Sequence, residues 1–153
     1  AGSDNHDISG NRMFASGDGQ SEDEDFFLTS MYSGMPRNYV YTQTPDAAGI
    51  LGALRRGNSF LTNNPLAYLD VEGAIPGEST GPGAKGIHVR IQSNRELMQY
   101  RIIKNGELFQ EENVSGLVTE RTIPAELMRG DWIVLEVRGK NGDYALTNPV
   151  FIK

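Results

Sequence analysis

The first residues whose types and spacing could do chemistry are Asp4 and His6, in the stretch Ala1-Gly2-Ser3-Asp4-Asn5-His6. A carboxylate and an imidazole two positions apart are hard-to-borderline ligands that suit Zn, Mn or Fe. A metal centre takes roughly three or four protein ligands. The chain has 2 histidines and no cysteine, and Asp4 and His6 by themselves leave such a centre incomplete. The second histidine, His88, alternates onto the outward face of a strand, where a solvated side chain is the ordinary state.

The other chemistry-bearing patterns read as structure. The absence of cysteine excludes disulfides and thiol catalysis. So few histidines leave no Ser-His-Asp set to argue. Gly81-Pro82-Gly83-Ala84-Lys85-Gly86 matches G-x-G-x-x-G, but that motif cradles a pyrophosphate only when a strand precedes it and a helix follows. Here a turn precedes it and a strand follows. Five acids between Asp18 and Asp25 do not fit the spacing of a calcium loop and read as a solvated acidic loop. Arg129-Gly130-Asp131 is an adhesion-type tripeptide, but Gly130 already serves to stop a helical turn. Tyr68, Trp132 and Tyr144 are the aromatics to expect on a binding face, if the chain binds carbohydrate or protein.

These residues need elements to hold them. At 153 residues the chain suits one ordinary domain with an appendage. No run of about 18 apolar residues reads as a membrane span, and no charged start with a short apolar core reads as a targeting signal. The net charge of −6 is uneven. Residues 1–50 hold eight acids and two arginines, whereas residues 51–153 hold twelve acids and twelve bases. Nothing is basic enough to attract a nucleic-acid backbone, and the split suggests two segments.

The period of the sequence predicts one helix over about 45–56. Thr44 would cap it, Pro45 would occupy its first turn, Asp46 would complement its dipole, and Gly57 would stop it. Ala47, Ile50, Leu51 and Leu54 form its apolar stripe, and it must pack on something. From Ser59 the period changes to two. Alternation marks strands around 67–72, 87–92, 98–102, 117–123 and 133–138, then 144–147 and 150–152. Asn105-Gly106 and Asn141-Gly142 are hairpin signals, and Pro124–Arg129 reads as a helical turn closed by Gly130. The expected fold is mainly β: an immunoglobulin-like antiparallel β-sandwich of about seven strands over 59–153. A helix and irregular chain over 1–58 precede it.

Three stretches carry a resemblance. Gly2-Ser3-Asp4-Asn5-His6 matches a Gly-Ser-Asp-x-His strand end. Ala53-Leu54-Arg55-Arg56-Gly57 matches a helix ending Ala-Leu-Arg-x-Gly. Thr62-Asn63-Asn64-Pro65-Leu66 matches a Thr-Asn-Gly-Pro-Leu turn, with Asn64 in place of glycine; Asn also tolerates a left-handed backbone. Together they resemble the C-terminal part of the polymerase-and-histidinol-phosphatase (PHP) metallohydrolases, in the CehA/McbA-like group. The resemblance implies that residues 1–58 are the remnant of a distorted β/α barrel and that the sandwich is an accessory domain. It implies that Asp4 and His6 are the last two ligands of a divalent metal centre (Zn, Mn or Fe) acting on a small phosphoester. The family's earlier ligands include a His-x-His pair, which this chain lacks. The expected partner is therefore an N-terminal barrel of the same polypeptide, and the chain alone is expected to hold no catalytic metal.

Overall fold

A computed structural model describes residues 36–153. The chain forms β1 (Arg37–Val40) and helix α1 (Ala47–Arg56), then β2 (Ser59–Thr62), β3 (Leu66–Val71), β4 (Ser79–Thr80) and β5 (Gly83–Gln92). It continues through β6 (Leu97–Lys104), β7 (Glu107–Asn113), β8 (Val118–Leu127), β9 (Trp132–Gly139), β10 (Tyr144–Thr147) and β11 (Val150–Ile152). The protein is mainly β, with more strands than the seven expected. β1, β2, β4 and β7 add to the count: the first three are short, and β7 is a largely exposed strand with no buried alternate face to mark it.

The strands form two sheets. The smaller has the order β3-β5-β8. The larger runs β1-β2-β10-β9-β11-β4, with β6 also pairing β9 and β7 pairing β6. Every pairing is antiparallel except β11 with β4. Because β1 pairs with β2 from Arg37↔Thr62 to Val40↔Ser59, the larger sheet extends upstream of residue 59.

Period-two burial makes the core. Ala67, Leu69 and Val71 of β3, Ile87, Val89 and Ile91 of β5, and Ile123, Ala125 and Leu127 of β8 are buried. They join Tyr100, Ile102, Ile133, Leu135, Val137 and Val150 of the larger sheet in one cluster. Each sheet thus covers the other's apolar face, as in a sandwich.

The segment expected as a helical turn is instead the end of β8, with Pro124 paired opposite Gly86. Among the described residues β8 pairs only with β5, and an edge strand needs ladder hydrogen bonds on one side alone, so it accommodates a proline. Burial of alternate residues decided the outcome: Ile123, Ala125 and Leu127 are inside while Pro124 and Glu126 are exposed. Both hairpins form as expected. Asn105 and Gly106 have φ of 55° and 86°, and Asn141 and Gly142 have 60° and 71°, the left-handed values that Asn-Gly tolerates.

The helix begins two residues later than expected. Asp46, not Thr44, is its cap, accepting a hydrogen bond from the Gly49 N–H at 2.7 Å. Gly57 ends it at φ 79°. Its apolar stripe is not the face that the described residues bury. Ala53 is buried, whereas Ile50, Leu51 and Leu54 remain 38%, 53% and 40% exposed.

The C-terminus of α1, rather than its apolar stripe, is what the fold grips. The Asn58 side chain donates to the Pro76 carbonyl at 2.8 Å. Asn148 donates to the Gly57 carbonyl at 2.9 Å and to the Ser59 hydroxyl at 3.0 Å. The Gly77 N–H donates to the Pro149 carbonyl at 2.8 Å. Gly77 has φ +89°, and a Cβ there would collide with the Arg56 carbonyl oxygen and the Gly57 backbone. Gly73 has a similar φ of +85° but faces open space. Gly77→Ala is therefore expected to cost about 3 kcal/mol or more in urea unfolding, and Gly73→Ala only about 1 kcal/mol. Equal losses would show that the clash is relieved.

Candidate functional site

Asp4, His6 and the acidic loop 18–25 lie outside the described residues. Among the described residues, no group of three or more His, Asp or Glu side chains stands where it could hold a metal ion. His88 is exposed on β5, between Asp70 and Thr122 in register, and its Nδ1 is 2.9 Å from the Thr122 hydroxyl. The Asp70 carboxylate accepts from the Gly73 N–H at 2.9 Å. The pair thus holds a turn and a strand edge, and the donors described do not complete a metal set.

The three aromatics do not share a face. Tyr68 belongs to the smaller sheet, and its ring meets Phe60 and Tyr41 at centroid distances of 5.9 and 6.4 Å. Trp132 and Tyr144 both point outward from the larger sheet, since their neighbours Ile133 and Ala145 are buried. Tyr144 pairs with Arg138 at the far end of β9 from Trp132, which separates the two by about 20 Å at roughly 3.3 Å per residue. The glycine-rich stretch leads into β5, which opens at Gly83, so no helix N-terminus faces it.

The tripeptide Arg129-Gly130-Asp131 is spoken for. Asp131 is buried, and its carboxylate accepts from Asn105 Nδ2 at 2.7 Å and from the Met128 N–H at 2.8 Å. It also pairs with Lys104 at 2.8 Å. Lys104, Asn105 and the Met128 N–H, in that order of effect, hold its pKa down at about 2. Its role is to tie the β6–β7 turn to the β8–β9 turn.

Two further polar clusters escaped the sequence reading. Tyr100 is buried in the core, and its hydroxyl donates to Glu112 at 2.7 Å. Arg121 reaches the other oxygen of Glu112 at 2.7 and 3.0 Å. Burial, then the bond to Glu112, pushes the Tyr100 phenol up to about 12. The Tyr100 and Arg121 bonds hold Glu112 below the usual carboxylate range. Because Glu112 is on β7 and Arg121 on β8, this cluster links the two sheets across one open edge.

The second cluster surrounds the turn Thr62–Leu66. Asn63 donates to the Gly142 carbonyl at 3.0 Å and accepts from the Tyr144 N–H at 2.7 Å. Asn64 donates to Asp143 at 2.7 Å and to the Ser93 hydroxyl at 3.0 Å. Asp143 is fully enclosed and pairs with Arg95 at 2.9 Å. Burial raises its pKa, against the opposing pull of Asn64 and Arg95.

Asn64 is not left-handed; among the described residues the non-glycine ones that are so are Glu72, Asn105 and Asn141. The expectation that it keeps a glycine-like backbone is thus corrected. Pro65 follows it, and a residue before proline is held extended. Asn64 serves through its side chain instead. Both clusters tie strands and turns together.

The depressed pKa of Asp131 makes its contribution depend on pH. A carboxyl with a lowered folded pKa stabilises fully above its unfolded value of about 4 and loses that effect as pH falls through the folded value. Asp131→Asn should lower unfolding free energy by about 1–2 kcal/mol at pH 7. The gap should shrink as pH falls from about 4 to about 2. Urea titrations of both proteins at the two ends of that range check this, and a pH-independent gap would remove the ionised carboxylate from the account.

A scan against protein-family models finds no match to this chain, and searches of curated proteins and of solved structures return none.

Proposed function

We propose that this chain is the C-terminal part of a PHP-type metal-dependent hydrolase, carrying an immunoglobulin-like accessory sandwich beside the edge of a catalytic barrel. The observation that carries the reading is the orientation of α1. Its C-terminus is clamped to the sandwich through Gly57, Asn58 and Asn148, while Ile50, Leu51 and Leu54 face outward. A Leu or Ile side chain gains about 1.5–3 kcal/mol on full burial, and much of that gain is unrealised here. A helix layered between a sandwich and a barrel would present its small residues to one and its large apolar residues to the other. The three matched motifs support the same reading.

On this reading Asp4 and His6 complete a centre whose other ligands stand on the barrel, where a divalent metal lowers the pKa of a bound water and polarises a phosphoester. The chain's own contribution is to hold the last two ligands and the helix in register with the sandwich. A free-standing binding module for carbohydrate or protein is the second reading, favoured by the cleft between β1 and the β3–β5 corner.

The test uses Leu51→Glu with Leu54→Glu. In residues 1–153 the pair should change stability by less than about 0.5 kcal/mol, as exposed substitutions do. In the polypeptide extended through the upstream reading frame it should lower stability and metal content together. The extension should encode a His-x-His pair and turn over a phosphoester with Mn or Zn, while residues 1–153 alone should not. An extension without that pair removes the family assignment, and turnover by residues 1–153 removes the fragment reading.

A further inference from the structure

We infer that the cleft between the β1 edge of the larger sheet and the β3–β5 corner of the smaller one is a binding site for a neutral saccharide. The inference stands on the cleft alone and holds whether the domain works by itself or beside a barrel.

The cleft, as bounded by the described residues, has a volume of about 430 Å³. That falls in the range of small-ligand sites. The other end of the sandwich is closed differently, since the β7 and β8 edges are joined by Glu112 and Arg121. At the β1 edge, described residues of both sheets line a cleft instead.

Its lining is chemically uniform. The polar side chains are amides and hydroxyls, among them Asn64, Gln92, Ser93 and Asn94, and Arg37 is the only charged residue. A single arginine is a poor match for a phosphorylated or polyanionic ligand. Amides offer donors and acceptors together, which suits the vicinal hydroxyls of a sugar ring. The side chains of Gln92 and Asn94 make no hydrogen bond within the described protein. Asn64 spends its Nδ2 on Ser93 and Asp143, and its carbonyl oxygen takes no bond from any described residue. Ser93 accepts from Asn64 and from the Arg95 N–H at 3.1 Å, so its own proton is left to donate.

The apolar wall completes the match. Tyr39 lines the cleft and is 40% exposed. Its ring is stacked on Phe60 at 5.3 Å with an interplanar angle of 9°. That stacking fixes the ring plane before any ligand arrives, which lowers the ordering cost of binding. Leu66 adds a second apolar surface. A pyranose presents an apolar C–H face and a rim of hydroxyls, and an aromatic wall beside amides meets both. Asn64 also gains a meaning here: where the resembling turn has glycine, this chain places an anchored amide at the floor of the cleft.

The test is a ¹H–¹⁵N titration of residues 1–153 with cellotriose, mannotriose and chitotriose, and with inorganic phosphate as the anionic comparison. At least one sugar should shift the amides of Asn64, Ser93 and Asn94, with a dissociation constant on the order of 1 mM. Asn94→Ala and Gln92→Ala, both at the cleft rim, should weaken that sugar about threefold to tenfold, the worth of one hydrogen bond. Spectra elsewhere should be unchanged, and Trp132→Ala, on β9 and outside the cleft lining, should leave affinity intact. The inference is overturned if no sugar shifts these amides at about 10 mM. Shifts centred on Tyr68 or Trp132, phosphate binding as well as any sugar, or equal affinity in the cleft variants would overturn it too.

Discussion

A three-stranded sheet cannot keep an apolar face in water, and that constraint organises the protein. β3, β5 and β8 put nine alternating side chains, from Ala67 to Leu127, on one side. Among the described residues, what covers them is the inner face of the larger sheet, built around β9. Once the two faces meet, the remaining elements are located by what they can reach. β6 and β7 extend the cover on one side of β9; β10, β2 and β1 extend it on the other. The helix lies outside this contact and is held by polar bonds at one end.

Those polar bonds are made largely by asparagine. Asn58, Asn63, Asn64 and Asn148 each bond backbone or buried polar groups far away in sequence. An amide can donate and accept at once, so a single side chain can stand in for a missing rung of backbone pairing. Such side chains are costly to bury without partners. They therefore fix which turn faces which, where apolar packing alone would allow sliding.

The sequence reading worked where structure is local. The period-two strands, the two Asn-Gly hairpins and the stop at Gly57 depend on neighbours within a few residues, so they are legible from the letters. Asp46 displaced Thr44 as cap within the same short stretch, a shift of two residues that propensity does not resolve. Pro124 misled because its meaning depends on whether its strand lies at an edge, which is a property of the whole sheet. Asp131, Asp143 and Arg121 were unreadable for a related reason: their side-chain partners lie 9 to 79 residues away. The same holds for the cleft, whose walls come from β1, the β2–β3 turn and the end of β5. Tyr68, Trp132 and Tyr144 were chosen by type, and type does not say which sheet a strand will join. Asp4 and His6, expected as metal ligands from spacing and resemblance, lie outside residues 36–153.

The order of strands in the larger sheet bears on how the protein is made. β10 lies between β2 and β9, and β11 between β9 and β4. Elements from the last ten residues of the sequence therefore occupy places within the sheet rather than at its margin. On a ribosome, β2 has no partner to separate it from β9 until residue 147 has emerged, and β4 none until residue 152. The smaller sheet, complete by residue 127, must wait with its apolar face uncovered. Pairings across such long stretches form slowly and leave apolar surface open to other chains. The interval between synthesis of β8 and of β11 is thus when this domain most needs a chaperone or an already folded neighbour.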